Sequence, residues 1–158
     1  MKQVSIKSIE DAVTKIDSLD EDALEKLSET YFNQQQEFLG YIFSSVIEYE
    51  NEQLMDLLMY YFNIFSEAFA QEGLTLNKIT DEQIDAFQED YTSTLDEYME
   101  SEDMEIIEEF VNQPHLLSFL VSEVNMKDEN GEELDDETAT YLFIVGIAMI
   151  GLLNNAIA

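Results

Sequence analysis

Apolar residues return every third or fourth position along most of this chain, the spacing of one face of an α-helix rather than the alternation of a strand. After Ser8, the residues Ile9, Val13 and Ile16 share a face and predict a modest amphipathic helix that ends near Asp17. Ser18-Leu19-Asp20-Glu21 then has the spacing of a capping box, in which the serine holds a free amide and the glutamate reaches back. The next stripe runs Leu24, Leu27, Tyr31, Phe38, Leu39, Ile42, Phe43 and Val46. The polar stretch Asn33 to Gln36 interrupts it as a kink, a turn between two helices, or a solvated side. Asn51 is the expected cap of a helix that runs to about Glu72 and stops at Gly73, where a residue without Cβ takes the left-handed conformation.

The clearest start signal is Ile79-Thr80-Asp81-Glu82-Gln83-Ile84. Thr80 and Gln83 form a capping box there, and Ile79 and Ile84 a hydrophobic staple. The helix from Asp81 carries Ile84, Phe87, Tyr91, Leu95 and Tyr98 inward. A break near Ser101 separates it from a helix with Met104, Ile107, Phe110 and Val111 inward. Pro114 opens another helix, since its missing amide costs nothing in the first turn, and Leu116, Leu117, Phe119, Leu120, Val121 and Val124 follow. Met126 to Asp136, with Asn130-Gly131 at its middle, lacks strand alternation and reads as a loop. Asp135 or Asp136 then caps the last helix.

Two stretches depart from the one-faced pattern. Between Asn51 and Glu72 the stripe Leu54, Leu57, Leu58, Tyr61, Phe65 and Phe69 is widened by Met55, Met59, Phe62 and Ile64. A helix so apolar lies beside another central helix or forms a face for a second copy, and the central position is the expected one. Thr138 to Ala158 has no ionisable side chain, and Tyr141 to Leu153 is apolar all the way round. Such a helix is enclosed by other helices or by lipid. Its strictly apolar part has 13 residues, short of the roughly 20 that span a bilayer. Acids precede it, Asn154 and Asn155 follow it, and no lysine or arginine lies at either end to meet headgroups. Gly146 and Gly151 are spaced for close approach by a neighbouring helix rather than for the GxxxG dimer motif. The expected fold is therefore all-α, a single domain over residues 1–158. It is a bundle of six or seven helices, with the C-terminal helix buried and the Asn51 to Glu72 helix beside it.

Composition supports a core and constrains partners. At 158 residues, with 46% apolar residues, ten Phe and eight Tyr, the chain has the material for one hydrophobic interior. Without cysteine it has neither disulfides nor thiolate chemistry. The first ten residues show no apolar h-region, and a cytoplasmic location is expected. The charge changes the picture most: 36 Asp and Glu stand against 6 Lys and Arg, a formal net charge of −30. Such a surface repels nucleic acid and anionic membranes and draws basic partners.

Candidate chemistry is sparse. A di-iron carboxylate bundle needs two Glu-x-x-His motifs; the single histidine is His115, and three positions before it stands Asn112. Aligning Gly131 with the invariant glycine of a twelve-residue calcium loop puts Asp128, Asn130 and Glu137 on ligand positions, but Met126 takes the first, where a carboxylate is needed. His115 and Ser118 lack an indicated acid partner for nucleophilic chemistry. Five scattered glycines build no phosphate-cradling loop. Glu37 and Glu67 lie in apolar surroundings yet fall on polar rows of their helices, Glu67 with Asn63 and Gln71, and a solvated face is expected for both. Neither a catalytic site nor a cofactor is expected.

The surface remains. From Asp81 to Glu109 there are 13 acids and no Lys or Arg. The pairs Asp81/Asp85, Asp85/Glu89, Asp96/Glu100 and Glu105/Glu109 are like charges one turn apart, each opposing its helix by about 0.2–0.5 kcal/mol. These seven residues, Asp81, Asp85, Glu89, Asp96, Glu100, Glu105 and Glu109, are the expected partner-binding set, meeting cations that another molecule supplies. In class, charge and size the chain is similar to acidic helical DNA-mimic and nuclease-immunity proteins. The expected function is a non-enzymatic acidic interaction protein that occupies a basic surface of a protein partner, such as one built for nucleic acid, without binding nucleic acid itself. The alternative is a tail-anchored membrane protein with an acidic cytoplasmic domain, and the third reading a weak cation-binding protein.

Overall fold

Five helices of this protein begin where a side chain holds one of the first free amides. In the computed structural model, which describes residues 3–49, 52–125 and 135–158, eight helices are seen among those residues, one or two more than the stripes suggested. They are α1 (Ile6–Ser18), α2 (Glu21–Gln34), α3 (Gln36–Tyr49), α4 (Glu52–Gln71), α5 (Asp81–Ser101), α6 (Met104–Val111), α7 (Pro114–Val124) and α8 (Asp136–Asn155). The capping box of α5 is present in full, with Thr80 and Gln83 each bonding the other's backbone, and Ile79 and Ile84 beside it are both buried. Asp135 rather than Asp136 caps α8, accepting from the Thr138 amide at 2.8 Å. At the end of α4, Gly73 sits at φ 76°, and the Leu74 amide bonds back to the Phe69 carbonyl, as in a Schellman motif.

Two expected caps lie elsewhere. Ser5, not Ser8, caps α1, its hydroxyl accepting from the Ser8 amide at 3.1 Å, so the helix starts a turn earlier and Ser8 is buried within it. The Ser18 to Glu21 capping box does not form: α1 continues through Ser18, whose hydroxyl donates to the Lys15 carbonyl, and Asp20 caps α2. Competition between neighbouring polar residues decides both cases, and for α1 tertiary anchoring settles it, because Glu72 at the α4 end accepts from both the Ser5 amide and the Ser8 hydroxyl. The polar interruption between Asn33 and Gln36 is a real junction, α2 ending at Gln34 and α3 beginning at Gln36. Asn51, the expected cap of α4, and the side chain of Val46 lie outside the described residues.

The helices gather about two hubs. α4 packs against α1, α2 and α3, α8 packs against α5, α6 and α7, and α4 and α8 pack on each other. Tyr61 to Phe69 of α4 and Val145 to Leu153 of α8 are each buried without interruption, so neither helix has a wet face over that length. Close approach is built in: a Cβ at Gly146 would meet the Leu120 side chain at 2.7 Å, and one at Gly151 the Phe87 ring at 2.7 Å. The aromatic charge of the sequence fills the seam, with Phe38, Phe62, Phe65 and Phe69 fully buried. Among the described residues α8 is also the one helix long and apolar enough to cross a membrane, and 61% of its most apolar window is buried inside the protein.

Two buried glutamines stitch the junctions to the rest. Gln35, between α2 and α3, donates to the Asn77 carbonyl and accepts from the Ile79 amide at 2.8 Å. Gln113, just before α7, accepts from the Val4 amide and donates to Asn154 of α8, both at 2.8 Å. The chain after α8 then pairs with the connection between α4 and α5, through an antiparallel bridge of Leu76 and Ile157 and the bond from the Asn77 amide to the Ala156 carbonyl. The last helix is thereby tied at its far end as well as along its length.

Candidate binding face

α5 is amphipathic for a simple reason of register. Successive residues advance by about 100°, so Asp81, Asp85, Glu89, Asp96 and Glu100 fall within an arc of about 100°. Ile84, Phe87 and Tyr91 occupy the opposite side and are buried against the core. The core side is anchored by stacked rings: Phe87, Tyr91 and Phe110 approach one another at 5.3 to 5.8 Å, and the Tyr91 hydroxyl donates to the Ile144 carbonyl of α8. Anchoring one face fixes the direction of the other, and all thirteen acids from Asp81 to Glu109 are exposed.

α6 repeats the arrangement on a shorter scale. Ile107 and Val111 are buried, while Glu105, Glu108 and Glu109 are exposed. The two helices pack together, and the turn between them is itself acidic, with Glu102 in the left-handed conformation at φ 57° and Asp103 capping α6. Asp81 and Glu82 are favoured by the positive start of α5, but no basic residue stands in its last turn, where Glu97 and Glu100 meet the negative end of the helix. Among the described residues the ion pairs are Lys7 with Asp11 and Lys15 with Glu67, and neither touches this face. All seven expected partner-binding residues are thus brought to the solvent side of α5 and α6.

The carboxylate Glu67 contradicts its expected solvated face. It is 3% exposed, and Asn63, on the same row, is 4% exposed. α1 and α2 cover that side of α4, and three donors converge on the carboxylate: Lys15 of α1 donates to Glu67 Oε1 at 2.8 Å, Tyr31 of α2 donates to Oε2, and Gln71 of α4 itself donates at 3.0 Å. Burial pushes the Glu67 carboxyl up, but these three donors outweigh it and hold its pKa below the ordinary carboxylate range. The same hydrogen bond and burial push the Tyr31 hydroxyl up, so it stays a donor. Asn63 donates to the Ser28 hydroxyl at 2.7 Å. Glu37 is half-buried rather than fully solvated, and it accepts from the Asp81 amide at the start of α5.

A second carboxylate group sits over paired tyrosines. Tyr60 donates to Asp17 at 2.9 Å and the neighbouring Tyr61 faces Glu123 at 3.4 Å, with the two rings 5.2 Å apart. Burial and the nearby Asp17 raise the Glu123 carboxyl above its ordinary value. Neither arrangement was found in the sequence. The available signal was Lys15, one of six cations in a chain of 36 acids, which singles it out as a partner for a buried carboxylate.

The remaining candidates stay apart. His115 and Ser118 share a shallow cleft of about 280 Å³ with Glu10, and no hydrogen bond links the three side chains among the described residues. Asp128 and Asn130 of the calcium alignment lie outside the described residues; Glu137 is exposed in the first turn of α8. Among the described residues no group of three His, Asp or Glu side chains is placed to hold a metal. Compared with protein-family models, with curated proteins and with solved structures, the chain matches none of them.

Proposed function

We propose that this chain is a non-enzymatic interaction protein whose acidic α5–α6 face occupies a basic surface of a protein partner, such as a surface built to hold nucleic acid. The observation that carries the reading is the set of thirteen exposed carboxylates that no lysine of the described fold neutralises. Retaining like charges one turn apart costs helix stability, and a cationic partner turns that cost into attraction. Acids four apart rise by about 6 Å along a helix, the several-ångström scale on which charge recurs along a nucleic-acid backbone. The rigid, ring-stacked floor under α5 supports the row as a preorganised surface.

Reversal of Asp85, Glu89, Asp96 and Glu100 to lysine tests the face. The comparison protein carries equal reversals at Glu21, Asp22, Glu25 and Glu29, which are exposed on α2; Asp11 and Asp17 serve less well because they bond Lys7 and Tyr60. The α5 variant loses capture of a basic partner from native cytosol, the α2 variant keeps it, and capture by the unaltered chain weakens with salt and with added polyanion. An unchanged partner set for the α5 variant overturns the proposal. The tail-anchor alternative draws on the length of α8; liposome flotation separates the two readings, and the full-length chain stays in the aqueous fraction if α8 serves as core.

A further inference from the structure

Among the described residues the helix packing leaves an apolar trough. It has a volume of about 640 Å³, within the range of ligand-binding clefts. Its walls come from four helices: Leu95 and Met99 of α5, Met104 of α6, Val124 of α7 and Phe143 of α8. Among the described lining residues the charged side chain is Asp96, which belongs to the acidic row of α5. Met99 is 68% exposed and continues the apolar lining to the rim, and contiguous exposed apolar surface of this kind marks docking sites. The floor is firm, with the Tyr98 and Phe143 rings 6.3 Å apart, while the methionines at the rim are flexible and adapt to the shape of an occupant.

Resting on the reading that the α5–α6 face meets a basic partner, we infer that this trough receives the apolar side of a basic amphipathic helix. Large apolar residues of that helix insert between α5, α6, α7 and α8, and its flanking Lys or Arg side chains meet Asp96 and Glu100. Charge complementarity selects this occupant. An acidic peptide is repelled by the rim, and a neutral one leaves the carboxylates unpaired, whereas a cationic helix meets both the apolar floor and the charged edge. The position of Asp96, in the lining and on the acidic row at once, makes the two features one surface.

The chain contains no tryptophan, so a single tryptophan in a synthetic peptide reports binding without background. The probe is a helical peptide of about 18 residues, about five turns, with leucines on one face and lysines on the other. A scrambled peptide of the same composition, a Leu/Gln version and oligolysine serve as comparisons. The Leu/Lys helix binds most tightly and its tryptophan emission shifts to the blue. The paired substitutions Met99→Gln and Met104→Gln weaken it by about tenfold or more, since a single lost apolar anchor already commands that factor. Ile47→Gln, at a 72% exposed position on α3, leaves it unchanged, and circular dichroism confirms that each variant folds. Equal binding of the scrambled peptide, equal binding of the Leu/Gln helix, or insensitivity to the methionine changes overturns the inference. If oligolysine still binds and responds to reversals on α5, the acidic face stands and only the trough fails; if no lysine-bearing probe binds, both fail.

Discussion

Two groups of carboxylates in this protein meet opposite surroundings. Around α4 a buried acid, Glu67, is matched by a lysine, a tyrosine and a glutamine drawn from three helices. Along α5, α6 and the turn between them thirteen acids stand in water with no lysine among them. Burial explains the first arrangement, because an unpaired charge in the interior is costly and the fold must supply donors to it. Solvent permits the second, since exposed like charges cost only tenths of a kcal/mol per pair and need no answer from the fold. An acid with internal partners is therefore spent on structure, and an acid without them is available to another molecule.

The largest expected effect breaks the interior arrangement. Lys15→Met leaves Glu67 buried with two neutral donors, and chemical denaturation should show a loss of about 2–3 kcal/mol. A loss under about 0.5 kcal/mol, the range of ordinary surface substitutions, would show that Glu67 is solvated after all. Glu67→Gln sharpens the same point through pH. The Glu67 pKa is lower in the folded than in the unfolded chain, so its ionisation adds stability that is fully present above the ordinary carboxylate range. That stability is lost as pH falls through the lowered folded value. Melting curves taken across the acid range should fall less steeply for Glu67→Gln than for the unaltered protein.

The exterior arrangement predicts the opposite sign. Replacing Asp85 and Glu100 by lysine converts Asp81/Asp85, Asp85/Glu89 and Asp96/Glu100 from repelling to attracting pairs and puts a cation in the last turn of α5. The double variant should gain about 1 kcal/mol, read by denaturation at low salt, with the gain shrinking as salt rises. A destabilised variant would mean that these acids are held by the fold. The smallest effect lies between the two regimes, at Glu123. Its pKa is raised in the folded state, so the ionised form weakens the fold above that value and protonation relieves it. Glu123→Gln should raise the melting temperature slightly at neutral pH and leave it unchanged once the wild-type carboxyl is protonated.

Much of the build could be read from residues alone. The capping box at Thr80, the stop at Gly73, the break at Ser101 and the opening at Pro114 are local events, decided within one turn of chain by hydrogen bonds and backbone strain. The all-round apolar character of α4 and α8 likewise demanded enclosure whatever enclosed them, and the acids of α5 lie opposite a clear apolar stripe. The Ser5 and Asp20 caps were missed because several polar residues compete within a few positions, and the contact of Glu72 with Ser5 and Ser8 is long-range.

What only the tertiary structure decided is which polar row turns inward and what meets it. Asn63 and Glu67 repeat at a helical spacing indistinguishable from that of Asp85 and Glu89, yet one pair faces α1 and α2 and the other faces water. The division into an α4 hub and an α8 hub, the two glutamine stitches and the trough under Met99 are decided in the same way. Periodicity states which residues share a face, because that follows from the geometry of a single helix. The surroundings of the face depend on helices far along the chain, whose packing is set by shape and by the summed burial of many side chains.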